Sequence, residues 1–252
     1  MMDGIVVAKE GRVATIRLSR PPHNFFDVGM IRSIADVIEA NDADPNVLVT
    51  LLTAEGRNFC AGADFTKPLA EGSGPAEVYG QAARMFSRRK PLVAAVRGGA
   101  IGGGFGLALA ADFRVVAPAS RFHANFASIG LYPGFAITAT LPALVGAQRA
   151  NDLLLTARRV DGEEALALGL ADRLVDADSL DESALGFCQG IAANAPLALA
   201  SIRGALTRVD EQQARAAMAR ELKEQDKLFG TEDFKEGIRA SVERRPPAFV
   251  GR

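Results

Sequence analysis

Two glycine-containing stretches and a few side chains hold most of the chemical capacity of this chain. Between Arg97 and Leu107 six of eleven residues are glycine, including the run Gly102-Gly103-Gly104 and then Gly106. Glycines between an apolar run and a helix let backbone approach backbone or ligand closely. They also leave N–H groups at a helix start, aimed at whatever negative charge lies there. The element therefore reads as a backbone anion site, a tight packing turn, or both. A dinucleotide fingerprint would need a third glycine where Leu107 stands, and no Gly-Lys-Ser/Thr follows to make a phosphate loop. Histidine and tyrosine are sparse, two of each. His23 and His123 belong to a type that titrates near neutrality, but with no clustered ligands around them a metal is not expected. Cys60 and Cys188 are far apart in the chain and suggest neither a disulfide framework nor a zinc site. Cys60 reads as a small buried residue. A phenol such as Tyr132, with an ordinary pKa of about 10, could donate a proton or orient water.

The elements that must position these residues follow from periodicity. Ile5–Ala8 and Val13–Leu18, joined through Glu10-Gly11, read as a strand hairpin. Apolar Val28, Ile31, Ile34, Ala35 and Ile38 recur at helical spacing after Asp27, a plausible N-cap. Val47–Leu52, Leu92–Val96 and Phe113–Ala117 read as buried strands. A helix is expected over 75–88, and further helices over 137–156, 161–169, 179–193, 195–208, 211–229 and 231–243. Strands alternate with helices early and helices alone fill the last quarter, which describes an α/β core with a helical C-terminal extension. No low-complexity linker or fixed-period repeat interrupts it.

Composition bounds the partners. A net charge of −1 argues against nucleic acid or an anionic membrane surface as partner. The basic clusters Arg84–Lys90 and Arg239–Arg245 read as solvated helix ends. No apolar run of about 18 residues lacks charge or proline, so no membrane span is expected. The N-terminal ten residues are too short and too charged for a signal peptide. A soluble, cytoplasmic protein is the expectation.

The loop Asn58-Phe59-Cys60-Ala61-Gly62-Ala63-Asp64-Phe65, followed some forty residues later by Gly102-Gly103-Gly104-Phe105-Gly106 through Asp112, resembles the enoyl-CoA hydratase/isomerase (crotonase) family. Ile129–Gly134, Ala165–Ala171 and the tail from Glu236-Gly237 to Phe249 match in order and spacing. The resemblance implies a crotonase-like α/β spiral of ββα units over 1–194 and a helical region over 195–252 that packs a homotrimer or a dimer of trimers. It implies an acyl-CoA thioester as ligand, coenzyme A being part of the substrate, with no permanently bound cofactor. The thioester carbonyl would lie between the N–H groups of Ala63 and Gly103. Preorganised donors of this kind are worth roughly 10²–10³ in rate each where charge develops on an oxygen. The carbonyls of Ala61 and Ala63 would face the adenine. The nucleotide-contacting set becomes His23, Phe25, Ala61, Ala63, Asp64 and Phe65, with Arg244 for the phosphates or, as the alternative, a solvated helix end.

The chain departs from the family where hydratases carry two glutamates. Those positions fall on Gly106 and Phe126, so both carboxylates are missing. A general acid or base contributes about 10²–10⁴ in rate, and ordinary hydration is therefore not expected. Tyr132 and Asp64 stand as candidate replacements, each with a structural alternative: pocket lining for Tyr132, a turn brace for Asp64. If its segment is extended, His123 points away from Phe126 and the site. Asp112, ending a buried helix, reads as structural. Phe105, Gly106, Phe126, Tyr132 and Phe135 are expected to line an apolar acyl pocket, with core packing as the alternative for the aromatics. Decarboxylation or thioester hydrolysis on the same hole, or non-catalytic acyl-CoA binding, are the rival readings.

Overall fold

The computed structural model describes residues 3–64 and 74–252; Phe65 lies outside the described residues. Strand β1 (Ile5–Glu10) pairs antiparallel with β2 (Val13–Leu18) across the turn at Gly11. Beyond it the sheet is parallel: β2, then β3 (Val49–Ala54), β4 (Leu92–Val96), β6 (Phe113–Val116) and β9 (Arg173–Leu174). Its central strands are buried on both faces and therefore read as continuous apolar runs. Alternate residues serve two cores. Val49, Leu51, Val93, Ala95 and Val115 pack under α7 (Leu180–Ala192), while Leu52, Leu92, Ala94, Val96 and Val116 belong to the larger core on the other face.

That larger core holds α1 (Val28–Ala43) and α2 (Pro75–Arg84). Asp27 caps α1 by accepting from Met30 N at 2.9 Å, as its position before the periodic run suggests. A second, three-stranded sheet joins β5 (Gly99–Ile101), β7 (Arg121–His123) and β8 (Arg159–Asp161). Isolated bridges, Cys60 to Ala100 and Phe26 to Ala63, tie the two loops of interest to its edge and to each other. From β5 the chain enters α3 (Gly103–Leu109).

The span expected as one helix over 137–156 is two, α4 (Ile137–Val145) and α5 (Ala147–Thr156), because Gly146 between them sits at φ +84°. After α6 (Gly162–Leu168) and α7 come α8 (Pro196–Leu206), α9 (Glu211–Leu228) and α10 (Glu232–Glu243). Of these, α9 packs on α2 and α4, which brings the C-terminal region to the border of the cavity described next. Asp112 is structural, as expected: it accepts from Leu92 N at 2.8 Å and pairs with Arg88 and Arg203 at 3.0 and 3.1 Å.

Candidate active site

The segment 23–26 runs beside the loop 58–64 and binds it through main-chain contacts. Ala61 N donates to His23 O at 2.9 Å, and Phe26 N donates to Gly62 O at 3.0 Å. Two asparagines to which the motif reading gave no role tie this arrangement together. Asn24, fully buried, donates to Glu55 O and Asn58 O at 2.7 and 2.8 Å. Asn58 accepts from Gly99 N at 3.0 Å, and its amide nitrogen lies 2.8 Å from His23 Nδ1. Three stretches distant in sequence are thereby joined at one side chain.

The glycine element does both things its composition allows. Gly104 is a packing residue, since a Cβ there would stand 2.1 Å from Cys60 O. Gly62, at φ +83°, brings the other loop in so closely that its Cβ position lies 3.3 Å from Gly103 N. Helix α3 begins at Gly103, so this N–H has no intrahelical partner. Among the described residues neither Ala63 N nor Gly103 N donates a hydrogen bond. Both residues line the same cavity of about 640 Å³.

The mouth of the cavity is formed by Arg20, Pro21, Pro22, His23, Phe25 and Asp27, with Ala61 and Asp64 alongside. Arg20 donates to Asp27 at 2.8 Å and also to Asp3. The rings of His23 and Phe25 are 5.7 Å apart. Deeper in, the walls are apolar and aromatic: Phe26, Phe126, Phe135, Ile129, Leu131 and Phe229. Phe26 lies against Gly103, its Cζ 2.6 Å from the Cβ position there. Tyr79 on α2 and Gln225 on α9 bring polar atoms to the lining.

Of the residues expected here, Ala61, Ala63, Asp64, His23, Phe25, Gly103, Phe126 and Phe135 come together around the cavity. Three pocket expectations need correction. Phe105 is buried in the core against Phe122, ring centroids 5.2 Å apart, and does not line the cavity. Gly106 is sealed beneath Phe135, whose Cβ would lie 2.5 Å from a Cβ at position 106. Tyr132 also does not line the cavity; its neighbour Leu131 takes that place, and the Tyr132 carbonyl accepts from Gln225 Nε2 at 3.0 Å. The phenol that does reach the cavity is Tyr79. Burial raises its pKa well above the ordinary tyrosine value, with the Glu221 carboxylate adding to the effect, so it stays protonated.

His123 is turned away, as expected, but not because its segment stays extended. The chain leaves β7 and winds into a 3₁₀ turn over Ala127–Ile129. The His123 ring meets Ala157 O at 2.8 Å, and burial lowers its pKa. Cys60 is buried and its thiol is pushed up to about 12 by desolvation, which keeps it un-ionised. Arg244 is exposed at the left-handed end of α10 and does not line its own chain's cavity. The basic residue found at the mouth is Arg20.

A mixed α/β chain of this topology, with the loops that carry Ala63 and Gly103 lining one cavity, has the crotonase fold. The sequence profile of the enoyl-CoA hydratase/isomerase family matches residues 8–252, and the chain belongs to that family. It is 33% identical over 261 residues to a carnitinyl-CoA dehydratase of Citrobacter koseri, with 100% of both chains covered. It is 31% identical to a short-chain-enoyl-CoA hydratase of Clostridium acetobutylicum, covering 97% of this chain and 96% of the relative. Among solved structures, an enoyl-CoA hydratase/isomerase from Pseudoalteromonas atlantica superposes with a TM-score of 0.89 at 32% identity, covering 98% of this chain and 100% of the other.

Proposed function

We propose that this protein is an enzyme acting on acyl-CoA thioesters, holding the thioester oxygen between the N–H groups of Ala63 and Gly103. The observation that carries the reading is that these two amides make no other hydrogen bond among the described residues while lining one aromatic-walled cavity. Donors fixed in a water-poor site stabilise an enolate or tetrahedral oxyanion at no reorganisation cost. The mouth residues His23, Phe25, Ala61 and Asp64 would take the coenzyme A moiety. Asp64 stands beside the amide pair as the candidate proton carrier of the site, and ordered water is the other. Tyr132 is given up for that role because it is off the cavity.

A second reading is favoured by one feature. No carboxylate can stand at 106 beneath Phe135, and position 126 carries a phenyl ring on the wall. Decarboxylation of a malonyl-type thioester needs the hole but no base to remove an α-proton, and an apolar wall disfavours the charged carboxylate of the starting material. The chain would work as a homotrimer or a dimer of trimers. Helix α8, with Leu197, Ile202 and Leu206 exposed at 80, 57 and 73%, supplies an apolar face for assembly.

One panel separates the chemistries: purified protein with crotonyl-CoA, a 3-enoyl-CoA, malonyl-CoA and butyryl-CoA. The first reading expects turnover of an enoyl-CoA, seen as loss or gain of enone absorbance. Carbon dioxide release from malonyl-CoA selects the second, and free thiol from butyryl-CoA selects hydrolysis. Binding of all four with turnover of none would leave an acyl-CoA binder and refute the enzyme.

A further inference from the structure

The main chain from Gly134 to Thr138 combines two left-handed residues with hydrogen bonds to a buried carboxylate. Phe135 and Ala136 are consecutive non-glycine residues at φ +64° and +60°. A bulky side chain adopts that left-handed conformation only at a cost, and such cost concentrates at functional positions. Two helices far away in sequence hold it in place. Glu221 on α9, with no exposed surface, accepts from Ala136 N at 2.8 Å, Thr138 N at 2.9 Å and Thr138 Oγ1 at 2.6 Å. Tyr79 on α2 donates to Gln225 Oε1 at 2.9 Å. Gln225 Nε2 in turn donates to Tyr132 O and Pro133 O at 3.0 and 3.4 Å.

All of this fixes one ring. Phe135 has no exposed surface, lies 5.6 Å centroid to centroid from Phe26, and presses its Cβ against Gly106 of α3. It lines the cavity beside Phe26, the ring that lies against Gly103. The polar atoms nearby are already committed. Both ends of the Gln225 amide are engaged and the Tyr79 hydrogen is given to Gln225, so neither of these two side chains keeps a donor for a ligand.

We propose that Phe135 is the specificity-determining residue of this cavity: a plug, braced by Tyr79, Glu221 and Gln225, that restricts it to short hydrocarbon acyl groups. The inference rests on the cavity being an acyl-CoA site. A longer chain meets the Phe135 ring, and a distal carboxylate or hydroxyl finds the Tyr79 and Gln225 donors already engaged. Tyr79 and Glu221 act here as positioning residues, through the turn that carries the ring.

The test is calorimetric titration of butyryl-, octanoyl- and succinyl-CoA into the full-length wild-type protein, F135A, F135L and Y79F. Wild-type protein is expected to bind butyryl-CoA at least tenfold more tightly than octanoyl- or succinyl-CoA. F135A should shift the octanoyl-to-butyryl affinity ratio at least tenfold towards the long chain, with F135L intermediate. Y79F should move the ratio the same way; a merely structural role would weaken both ligands alike and leave it unchanged. The ratio is read on the binding-competent fraction given by the stoichiometry, so partial loss of folded F135A does not mask it. An unchanged ratio in F135A and F135L, or wild-type protein favouring octanoyl-CoA, overturns the plug. Failure of every thioester to bind wild-type protein overturns the acyl-CoA reading and the plug together.

Discussion

Placing a glutamate at position 106, where the family's hydratases carry one, should fail, and the reason is measurable. A Cβ on Gly106 would lie 2.5 Å from Phe135 Cβ and 3.0 Å from both Phe135 Cγ and its carbonyl oxygen. Main chain and a fully buried ring must therefore move before any carboxylate can be accommodated. Overpacking of this kind costs about 1–3 kcal/mol, and a buried carboxyl without partners adds roughly 1–3 more. A combined loss near 4 kcal/mol would lower the melting temperature by roughly 8–16 °C in a chain of this size. The assay is thermal or denaturant unfolding of G106E, F135G and the double variant, together with crotonyl-CoA hydration. Glycine at 135 suits the left-handed backbone and removes the opposing Cβ, so G106E should cost at least about 1 kcal/mol less in the F135G background, a coupling typical of contacting residues. G106E alone should gain no hydration. Additive costs within about 0.5 kcal/mol, or a G106E protein that melts like wild type and hydrates crotonyl-CoA faster than wild type does, would refute the steric account of the missing acid.

Two further outcomes follow from buried charges and thiols. D112N should destabilise the fold by about 3–5 kcal/mol, because Arg88 and Arg203 lose the carboxylate between them and Arg88 is 4% exposed. Burial opposes ionisation of Asp112, but the two arginines outweigh it and hold its pKa below the ordinary value. The stability it contributes is therefore present above the unfolded-state pKa and lost as pH falls through the folded one. Urea midpoints of wild type and D112N should converge in acid; equal stabilities at pH 7 would contradict this. Cys60 and Cys188, both buried with thiols pushed up to about 12, should react with a chromogenic disulfide at neutral pH only after denaturation. Prompt release of two equivalents from native protein would contradict their burial.

Much of the fold is legible in sequence because its signals are local. The Asp27 cap, the hairpin at Gly11 and the long amphipathic helices each announce themselves within a few residues. Strands of two or three residues such as β5, β7, β8 and β9 do not, since they are created by pairing and not by their own pattern. The site divides in the same way. The two backbone loops are readable as motifs, and their residues do meet at one cavity. Which neighbour faces that cavity is not readable: Leu131 does and Tyr132 does not, Phe26 does and Phe105 does not. That choice is made by packing against α2 and α9, elements that bring Tyr79 and Gln225 together from 146 residues apart. The substitution of Gly for an acid at 106 becomes intelligible only once Phe135 is seen lying against it.

The claim on which the function turns is that the Gly103 and Ala63 amides grip a thioester oxygen. Proline at 103 tests it directly. Position 103 is the first residue of α3, where proline is tolerated and where it deletes the N–H. Alanine at the same site brings the same Cβ toward Phe26 but keeps the N–H, and so serves as the control. Infrared difference spectra of bound butyryl-CoA, carbon-13 labelled at the thioester carbonyl, report the polarisation of that bond. Wild type and G103A should shift the carbonyl band to lower frequency than in water, and G103P should lose much of that shift while still binding free coenzyme A. An identical band in all three proteins, or one matching the thioester in solution, would mean that these amides do not hold the oxygen.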